Sequence, residues 1–487
     1  ALQAKGRTEE AFAAHRRAMS LAPSSPNVWT AAGVSLFEDG KVDDAIRCHR
    51  RALELFPDFV DALVNLGNAL AKREQHDEAM ASYQRALSLQ PQNALILNNM
   101  GALLENRGRM DEAVACYRRA LELDPRIAAT YSNLGSALKK TGRMEEALAC
   151  YDQAIRIEPA SAQAHWNRSI ALLGAGRLEE GWHEYEWGWV SGGRRPVRPF
   201  PQPRWEGQPL EGKTILVHGE QGVGDEILFS SMLPDVIARG ARLVVECDPR
   251  LSGWFERSFA STEAVPRTDP PHPRALAGDI DYFTPVGSLA RFVRPSLGSF
   301  PPHTGYLKAD PQRRSAFQNR LRALGPGWKV GICWRSKMRT PTRSLEYTTL
   351  DMWGPILRIP GVHFVNLQYD DCRAELAQAR ELFGVEIHAF ENLDLMHDLD
   401  GAAALTDALD LVITAATAVA HTAGALGKTT WQFQLLTSAD WLTFGTDAIP
   451  WFPSTRRFDR RLDQEWEEVI AQVAAELSRL AASNQNF

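Results

Sequence analysis

Residues 133–159 read NLGSALKKTGRMEEALACYDQAIRIEP, and the same frame returns every 34 residues. Gly33, Gly67, Gly101 and Gly135 keep that step, as do Ala45, Ala79, Ala113 and Ala147. So do Pro23, Pro57, Pro91, Pro125 and Pro159, and Ala18, Ala52, Ala86, Ala120 and Ala154. A further column holds His49, Tyr83, Tyr117, Tyr151 and Tyr185. Small Gly and Ala residues let two helices of a hairpin approach closely. The aromatic residue fills the gap between neighbouring hairpins, and Pro ends each second helix. A single hairpin cannot bury its own apolar face, so such units stack into a solenoid.

These columns resemble the tetratricopeptide family, over about residues 1–190. The frame predicts about five and a half repeats. The stretch from Gly6 to Pro23 supplies only a second helix, which implies an N-terminal extension outside this sequence. A column of Asn65, Asn99, Asn133 and Asn167 falls on the first helix of each hairpin, the helix that lines the concave surface. Asn68, Asn98, Ser132 and Ser136 share that face by helical spacing. A carboxamide both donates and accepts, so a ladder of them can pair with an extended peptide backbone. A similar ladder is implied by resemblance to the nucleocytoplasmic O-linked N-acetylglucosamine transferases. The alternative is that Asn is simply common at this repeat position. In the last repeat Gly181 replaces Ala, and Trp182, Trp187 and Trp189 crowd the second helix. This reads either as a capping repeat or as an interface with the next domain, since Trp buries a large area. Residues 191–204, opening with Gly192-Gly193-Arg194-Arg195-Pro196, read as a linker.

Beyond Lys213 the period changes. Residues 214–218 form a short apolar run that meets Gly219-Glu220-Gln221-Gly222-Val223-Gly224-Asp225-Glu226. A helical pattern follows over 227–239, and a second strand over 242–246. Strand, glycine loop, helix, strand predicts a parallel Rossmann-like sheet, with Glu220 and Asp225 at its carboxyl edge. G-x-x-G-x-G alone is weak evidence for a dinucleotide. A second unit has predicted strands at 330–334, 362–368, 385–390, 410–414 and 429–433. The exit loop of its first strand carries Arg335, Lys337, Arg339 and Arg343. The fourth strand runs through Thr417 into a helix over 418–426, with His421 in its first turn. A helix start offers free N–H groups to an anion, so loop and helix start are expected to bracket a phosphate or carboxylate. Asp370-Asp371 reads as an ordinary strand exit. A final helix over 464–482 is expected to pack across both lobes.

Two such lobes describe the GT-B architecture. The stretches Trp205-Glu206-Gly207, Glu220-Gln221-Gly222-Val223-Gly224-Asp225, Arg343-Ser344-Leu345, Leu367-Gln368-Tyr369, Thr417-x-Val419-Ala420-His421 and Pro450-Trp451-Phe452-Pro453 resemble bacterial tetratricopeptide proteins with a heptosyltransferase-like module. Among these, the resemblance is to flagellin-modifying glycosyltransferases that use a CMP-linked nonulosonic acid, and it covers nearly the whole chain. It implies a metal-independent, inverting protein O-glycosyltransferase with a nucleotide sugar as donor substrate and no other cofactor. It implies Asp225 as general base; by position Glu220, in the same loop, and then His218 are the substitute candidates, and Asp225 in the first turn of a helix also reads as a cap. It implies donor contacts from Arg335, Lys337, Arg343, Ser344, Gln368, Thr417 and His421, and acceptor capture, of flagellin or another secreted protein, on the Asn-lined face. Heptosyltransferases usually carry Asp before that Thr, and this chain has Ala416. The change weakens an ADP-heptose reading and suits a donor that brings its own carboxylate. The expected layout is a solenoid over 1–190, a linker over 191–204, a first lobe over 205–308 and a second over 309–487.

Composition bounds the alternatives. A chain of 487 residues suggests about three domains. A net charge of −6 argues against broad nucleic-acid binding, which requires surplus Lys and Arg. No apolar run approaches the roughly 18 residues of a membrane span, and the opening residues hold no apolar core of a signal peptide. Cys48, Cys116, Cys150, Cys247, Cys333 and Cys372 form no C-x-x-C pair, which fits a reducing, cytoplasmic setting. Two further readings stay open: a non-catalytic secretion or chaperone adaptor with a degenerate second half, and a heptosyltransferase acting on a lipid-linked glycan.

Overall fold

The computed structural model describes residues 8–337, 346–436, 441–461 and 464–483. Its backbone falls into two compact units, Ala1–Asn167 and Arg168–Phe487. The first is a stack of antiparallel helical hairpins. After the lone helix Thr8–Leu21 come Pro26–Glu38 with Val42–Leu55, Val60–Lys72 with His76–Leu89, Ala94–Asn106 with Met110–Leu123, and Ala128–Lys140 with Met144–Ile157. The glycine column shows why the period is strict. A Cβ built on Gly67, Gly101 or Gly135 would lie 2.4, 2.6 or 2.7 Å from the ring of Tyr83, Tyr117 or Tyr151. Each tyrosine lies flat on the backbone of the preceding helix, and each hydroxyl finds a partner: Asn68 at 2.7 Å, Glu105 at 3.0 Å and Ser136 at 3.4 Å.

The second unit begins inside the helix Ala162–Gly174 and includes Leu178–Tyr185 and Gly188–Ser191. The last hairpin therefore groups with the α/β module, not with the other repeats. The Trp182 ring meets Tyr185, Trp441, Phe444 and Trp451 edge-on at 5.5–6.3 Å, and its Nε1–H donates to the Arg294 carbonyl at 2.9 Å. The sequence's tryptophan crowding thus marks an interface and not a solvent-facing cap. The expected linker is also corrected. Arg194 within it is 1% exposed, held by carboxylates described below.

Two parallel sheets follow. The first contains β1 (Thr214–His218), β2 (Arg242–Cys247), β3 (Thr262–Pro266) and β4 (Tyr282–Pro285), in the order β3-β2-β1-β4. The second contains β5 (Trp328–Cys333), β6 (Val362–Asn366), β7 (Ile387–His388), β8 (Leu411–Ala415), β9 (Thr430–Leu435) and β10 (Thr455–Arg460), in the order β10-β9-β8-β5-β6-β7. Central strands are buried on both faces, as helix-covered parallel sheets require. The final helix, Trp466–Ser483, does not cross the lobes as expected. Its apolar side (Val469, Ile470, Val473, Leu477) joins Trp353, Ile356, Phe433 and Phe458 in a core wholly inside the second lobe. Among the described residues no helix is long and apolar enough to cross a membrane.

One repeat breaks the tyrosine column. His49 lies 1% exposed over Gly33, and neither ring nitrogen has a partner among the described residues. Burial lowers its pKa from 6.5 to about 4. The unfolded chain therefore binds the extra proton, and stability is full above pH 6.5 and is lost as pH falls toward 4. His49→Phe keeps the ring and removes both unpaired nitrogens. It is expected to raise stability by on the order of 1–3 kcal/mol and to flatten the slope between pH 6.5 and 4. Helical ellipticity melts across that range check this; an unchanged slope contradicts it.

Candidate functional site

β1 and β8 each end at the carboxyl edge of their sheet and turn directly into a helix, Val223–Ser230 and Ala418–Ala425. Ligand sites of open α/β sheets form at this edge. Here the two helix starts meet. The His421 Nδ1–H donates to the Gly224 carbonyl at 2.8 Å, and a Cβ on Gly224 would lie 3.0 Å from that nitrogen and 3.7 Å from Ala418 Cα. A side chain at position 224 would crowd the contact. Thr417 caps the second helix by accepting from Val419 N–H at 3.3 Å. Asp225 sits one residue past the contact, half-buried, and its Oδ2 accepts from Gly222 N–H at 3.1 Å. Burial raises its carboxyl pKa, and the nearby His421 and the Gly222 N–H oppose that rise. Asp225 is therefore both a helix cap and a carboxylate facing the other lobe's histidine.

Beside this contact lies a mostly apolar cavity of about 160 Å³. Val223 and Arg250 line it from the first lobe, and Leu367, Tyr369, Met396 and Val419 from the second. Arg250 spans the crevice: it donates to the Met396 carbonyl at 2.8 Å while Asp248 holds its other nitrogens at 2.8 Å. Lys337 lies at the rim, its Nζ 3.4 Å from Met396 Sδ and its backbone N–H donating to the Tyr369 hydroxyl at 3.3 Å. None of the apolar lining carries a signal in a lone sequence. Arg250 could have been suspected, since it follows β2 at the same sheet edge.

Several expected site residues are placed elsewhere. Glu220 is fully buried, and both its oxygens accept from Arg194, at 3.0 and 2.6 Å. His218 is packed among the rings of Trp189, Phe200 and Phe283, and burial lowers its pKa to about 3. Neither faces the crevice, so neither substitutes for Asp225. Arg335 is also corrected. The residue is 5% exposed, and its guanidinium is paired with both Glu375 oxygens at 2.9–3.2 Å and with Asp370 at 2.5 Å, so two carboxylates already neutralise it. Asp370, read as a strand exit, is half of that arrangement. Gln368, 2% exposed, accepts from Arg335 N–H at 3.3 Å and donates to Asp370 at 2.7 Å, which makes it a brace for the same group. Arg343 and Ser344 lie outside the described residues, as does Arg339. A further buried carboxyl was not foreseen: burial pushes Glu226 up to about 7, against Arg267 at 2.8 Å and the Asp248 N–H at 2.8 Å. Among the described residues, no three His, Cys, Asp or Glu side chains gather as they would around a metal ion.

In the repeat unit the asparagines form a chain across three repeats. Tyr83 hydroxyl and Asn99 Nδ2 both donate to Asn68 Oδ1, at 2.7 and 3.1 Å; Asn98 donates to Asn99 at 3.3 Å, and Asn133 to Asn98 at 3.0 Å. Asn65 and Asn167 stay local, bonded to the Asp61 carbonyl and to Gln163. Part of the ladder's capacity therefore ties repeat to repeat. A wider groove of about 830 Å³, lined by residues such as Trp29, Lys41, Arg47 and Arg50, lies on the first hairpins.

Comparison with known proteins identifies the repeats. The tetratricopeptide repeat family matches residues 30–94 and 92–157. The chain is 38% identical over 316 residues to Protein FlbA of Caulobacter vibrioides, a match covering 62% of this chain and 53% of that protein. It thus spans about half the length of the curated relative it matches. Solved structures with a detectable likeness include MamA, at 22% identity with 33% of this chain and 94% of that one covered (TM-score 0.29). Another is YrrB, described as a tetratricopeptide protein with an unusual peptide-binding site, at 20% identity and 36% and 91% coverage (TM-score 0.29). A third is PilF of Pseudomonas aeruginosa, at 18% identity and 44% and 85% coverage (TM-score 0.34). Tetratricopeptide repeats over residues 30–157 thus precede a two-sheet α/β module.

Proposed function

We propose that the chain is a protein O-glycosyltransferase. The repeats capture a protein acceptor, of flagellin type by the resemblance of the sequence. The module transfers a sugar to its Ser or Thr hydroxyls, with a CMP-linked nonulosonic acid the favoured donor. The observation that carries this reading is the meeting of two helix starts at Gly224 and His421, with Asp225 beside them and an apolar cavity alongside. Helix starts suit the phosphate of a leaving nucleotide. A cavity of about 160 Å³ is small beside typical ligand pockets of roughly 300–1,000 Å³ and suits one planar ring of a larger donor. In the transfer, Asp225 takes the proton of the acceptor hydroxyl. The hydroxyl oxygen bonds the anomeric carbon from the face opposite the nucleotide. The bond to the nucleotide oxygen breaks, and the nucleotide leaves with its electron pair.

A second reading has its own support. Arg335 is already neutralised by Asp370 and Glu375, and Ala416 stands where an Asp is usual in heptosyltransferases; both favour a module that has lost its activity and serves as a secretion adaptor. Thermal shift with CMP and hydrolysis of a CMP-linked nonulosonic acid separate the two. Stabilisation together with turnover supports transfer, and neither supports the adaptor.

Asp225→Asn is expected to lower kcat by on the order of 10²-fold or more, with a stability loss of only about 1 kcal/mol from the altered cap. In the wild type, kcat is expected to fall on the acid side at a pH above the usual carboxylate range, because burial raises this carboxyl. Normal turnover in Asp225→Asn removes it as the base. In the repeats, replacing Asn99, Asn133 and Asn167 together with Ala is expected to weaken capture of the acceptor at least tenfold while CMP affinity is kept. Since Asn99 and Asn133 also bond across repeats, melting is measured alongside. Unchanged capture with lowered stability makes the ladder purely structural.

A further inference from the structure

The loop that carries Asp225 is gripped from one side by the last helical hairpin and the segment that follows it. Gln221 adopts φ +58°, a conformation uncommon for any residue but glycine. Its backbone N–H donates to the Arg195 carbonyl at 2.7 Å, and its side-chain amide donates to the Tyr185 hydroxyl and to the Gly193 carbonyl, both at 3.3 Å. The preceding residue, Glu220, is held by Arg194. That guanidinium lies 4.6 Å from the Tyr185 ring and 4.3 Å from the Trp189 ring, and also donates to Glu186 at 2.9 Å and to Ser288 at 2.9 Å. The four groups that hold Glu220 and Gln221 directly, Tyr185, Gly193, Arg194 and Arg195, all come from the hairpin and its continuation. A non-glycine residue in the left-handed region persists only where its surroundings over-determine it, and such residues gather where geometry matters to function.

We propose that this hairpin, through Tyr185, Gly193, Arg194 and Arg195, sets the conformation of residues 219–225 and so positions Asp225 at the crevice. Gln221 and Arg194 are positioning residues, acting through the loop and not on the substrate. The chain of contacts is short. Gln221 fixes the backbone one residue before Gly222, whose N–H is bonded by Asp225 and whose carbonyl accepts from Glu226 N–H at 3.1 Å. Rotation at Gln221 therefore turns the first residues of the helix and moves the Asp225 carboxylate relative to His421. Gly224 has its carbonyl fixed by His421, so the loop is held at both ends, by the hairpin at one and by the second lobe at the other. The repeat nearest the module thereby contributes to the reacting site, whereas the repeats before it carry the asparagine chain.

The inference rests on the transferase reading only for its catalytic half, and the test separates the two. Hydrogen exchange of the full chain reads the amides of Gln221, Gly222 and Glu226 in the wild type, in Gln221→Gly and in Tyr185→Phe. Gln221→Gly removes the side-chain grip and frees φ, while Tyr185→Phe removes one acceptor and keeps the ring. Exchange of these amides is expected to accelerate at least tenfold in Gln221→Gly and less in Tyr185→Phe, with β1 and β5 unchanged. With a CMP-linked nonulosonic acid as probe, kcat is expected to fall about tenfold in Gln221→Gly at unchanged KM, and its acid limb to shift. Unchanged exchange in both variants overturns the grip. Accelerated exchange with unchanged kcat and pH profile overturns the positioning of Asp225. If the wild type turns over no donor, the transferase reading fails, and the exchange result alone decides the grip. Should Gln221→Gly not fold, Tyr185→Phe is the deciding variant, and wild-type exchange rates there overturn the inference.

Discussion

The buried guanidinium of Arg194 is the constraint on which the second unit depends. An unpaired charge at 1% exposure would be prohibitively costly, so its surroundings must supply carboxylates. Glu220 from the first lobe and Glu186 from the last hairpin do so, and Ser288, at the exit of β4, accepts a further hydrogen bond. Burial opposes the charge, but the two carboxylates outweigh it and hold the guanidinium pKa above its usual value. None of these elements can leave without stranding the others. The same compact unit holds all of these elements. The ring cluster around Trp182, with Trp441, Phe444 and Trp451 from the second lobe, extends the same junction by apolar means.

The crevice between the lobes is built differently. Polar contacts across it include His421 to Gly224, Arg250 to the Met396 carbonyl, and Arg257 to Asp400. Hydrogen bonds of this kind each contribute about 0.5–1.5 kcal/mol, and they add to the packing of Phe229 and Phe300 against Trp451 in holding the lobes in register.

Much of the fold was legible in the sequence because it repeats or follows a simple period. The Gly and Tyr columns record a ring lying on a bare backbone, where a Cβ would clash with it. β1, β5 and β8 read as apolar runs because both faces are buried. β3 and β4 were missed: each is short, ends in proline and alternates too little to register. β10, at the sheet edge, reads TRRFDR, whose charges look like a surface loop. The site was less legible for a specific reason. A charged side chain in a sequence does not disclose its partner, and Glu220 meets Arg194 from 26 residues away, while Arg335 meets Asp370 and Glu375 from 35 and 40. Both looked like ligands for a substrate and are instead satisfied within the fold. The placement of Asp225, Thr417 and His421 at helix starts was legible, because that geometry follows directly from a strand running into a helix.

The central claim is that the chain moves a sugar onto a protein. Intact-mass analysis of a flagellin co-expressed with the wild-type chain, with Asp225→Asn, or alone tests it most directly. The account expects the flagellin mass to rise by whole multiples of one sugar residue only with the wild-type chain. A flagellin that co-purifies with the wild-type chain yet keeps its unmodified mass would contradict the account and leave the chain a binding adaptor.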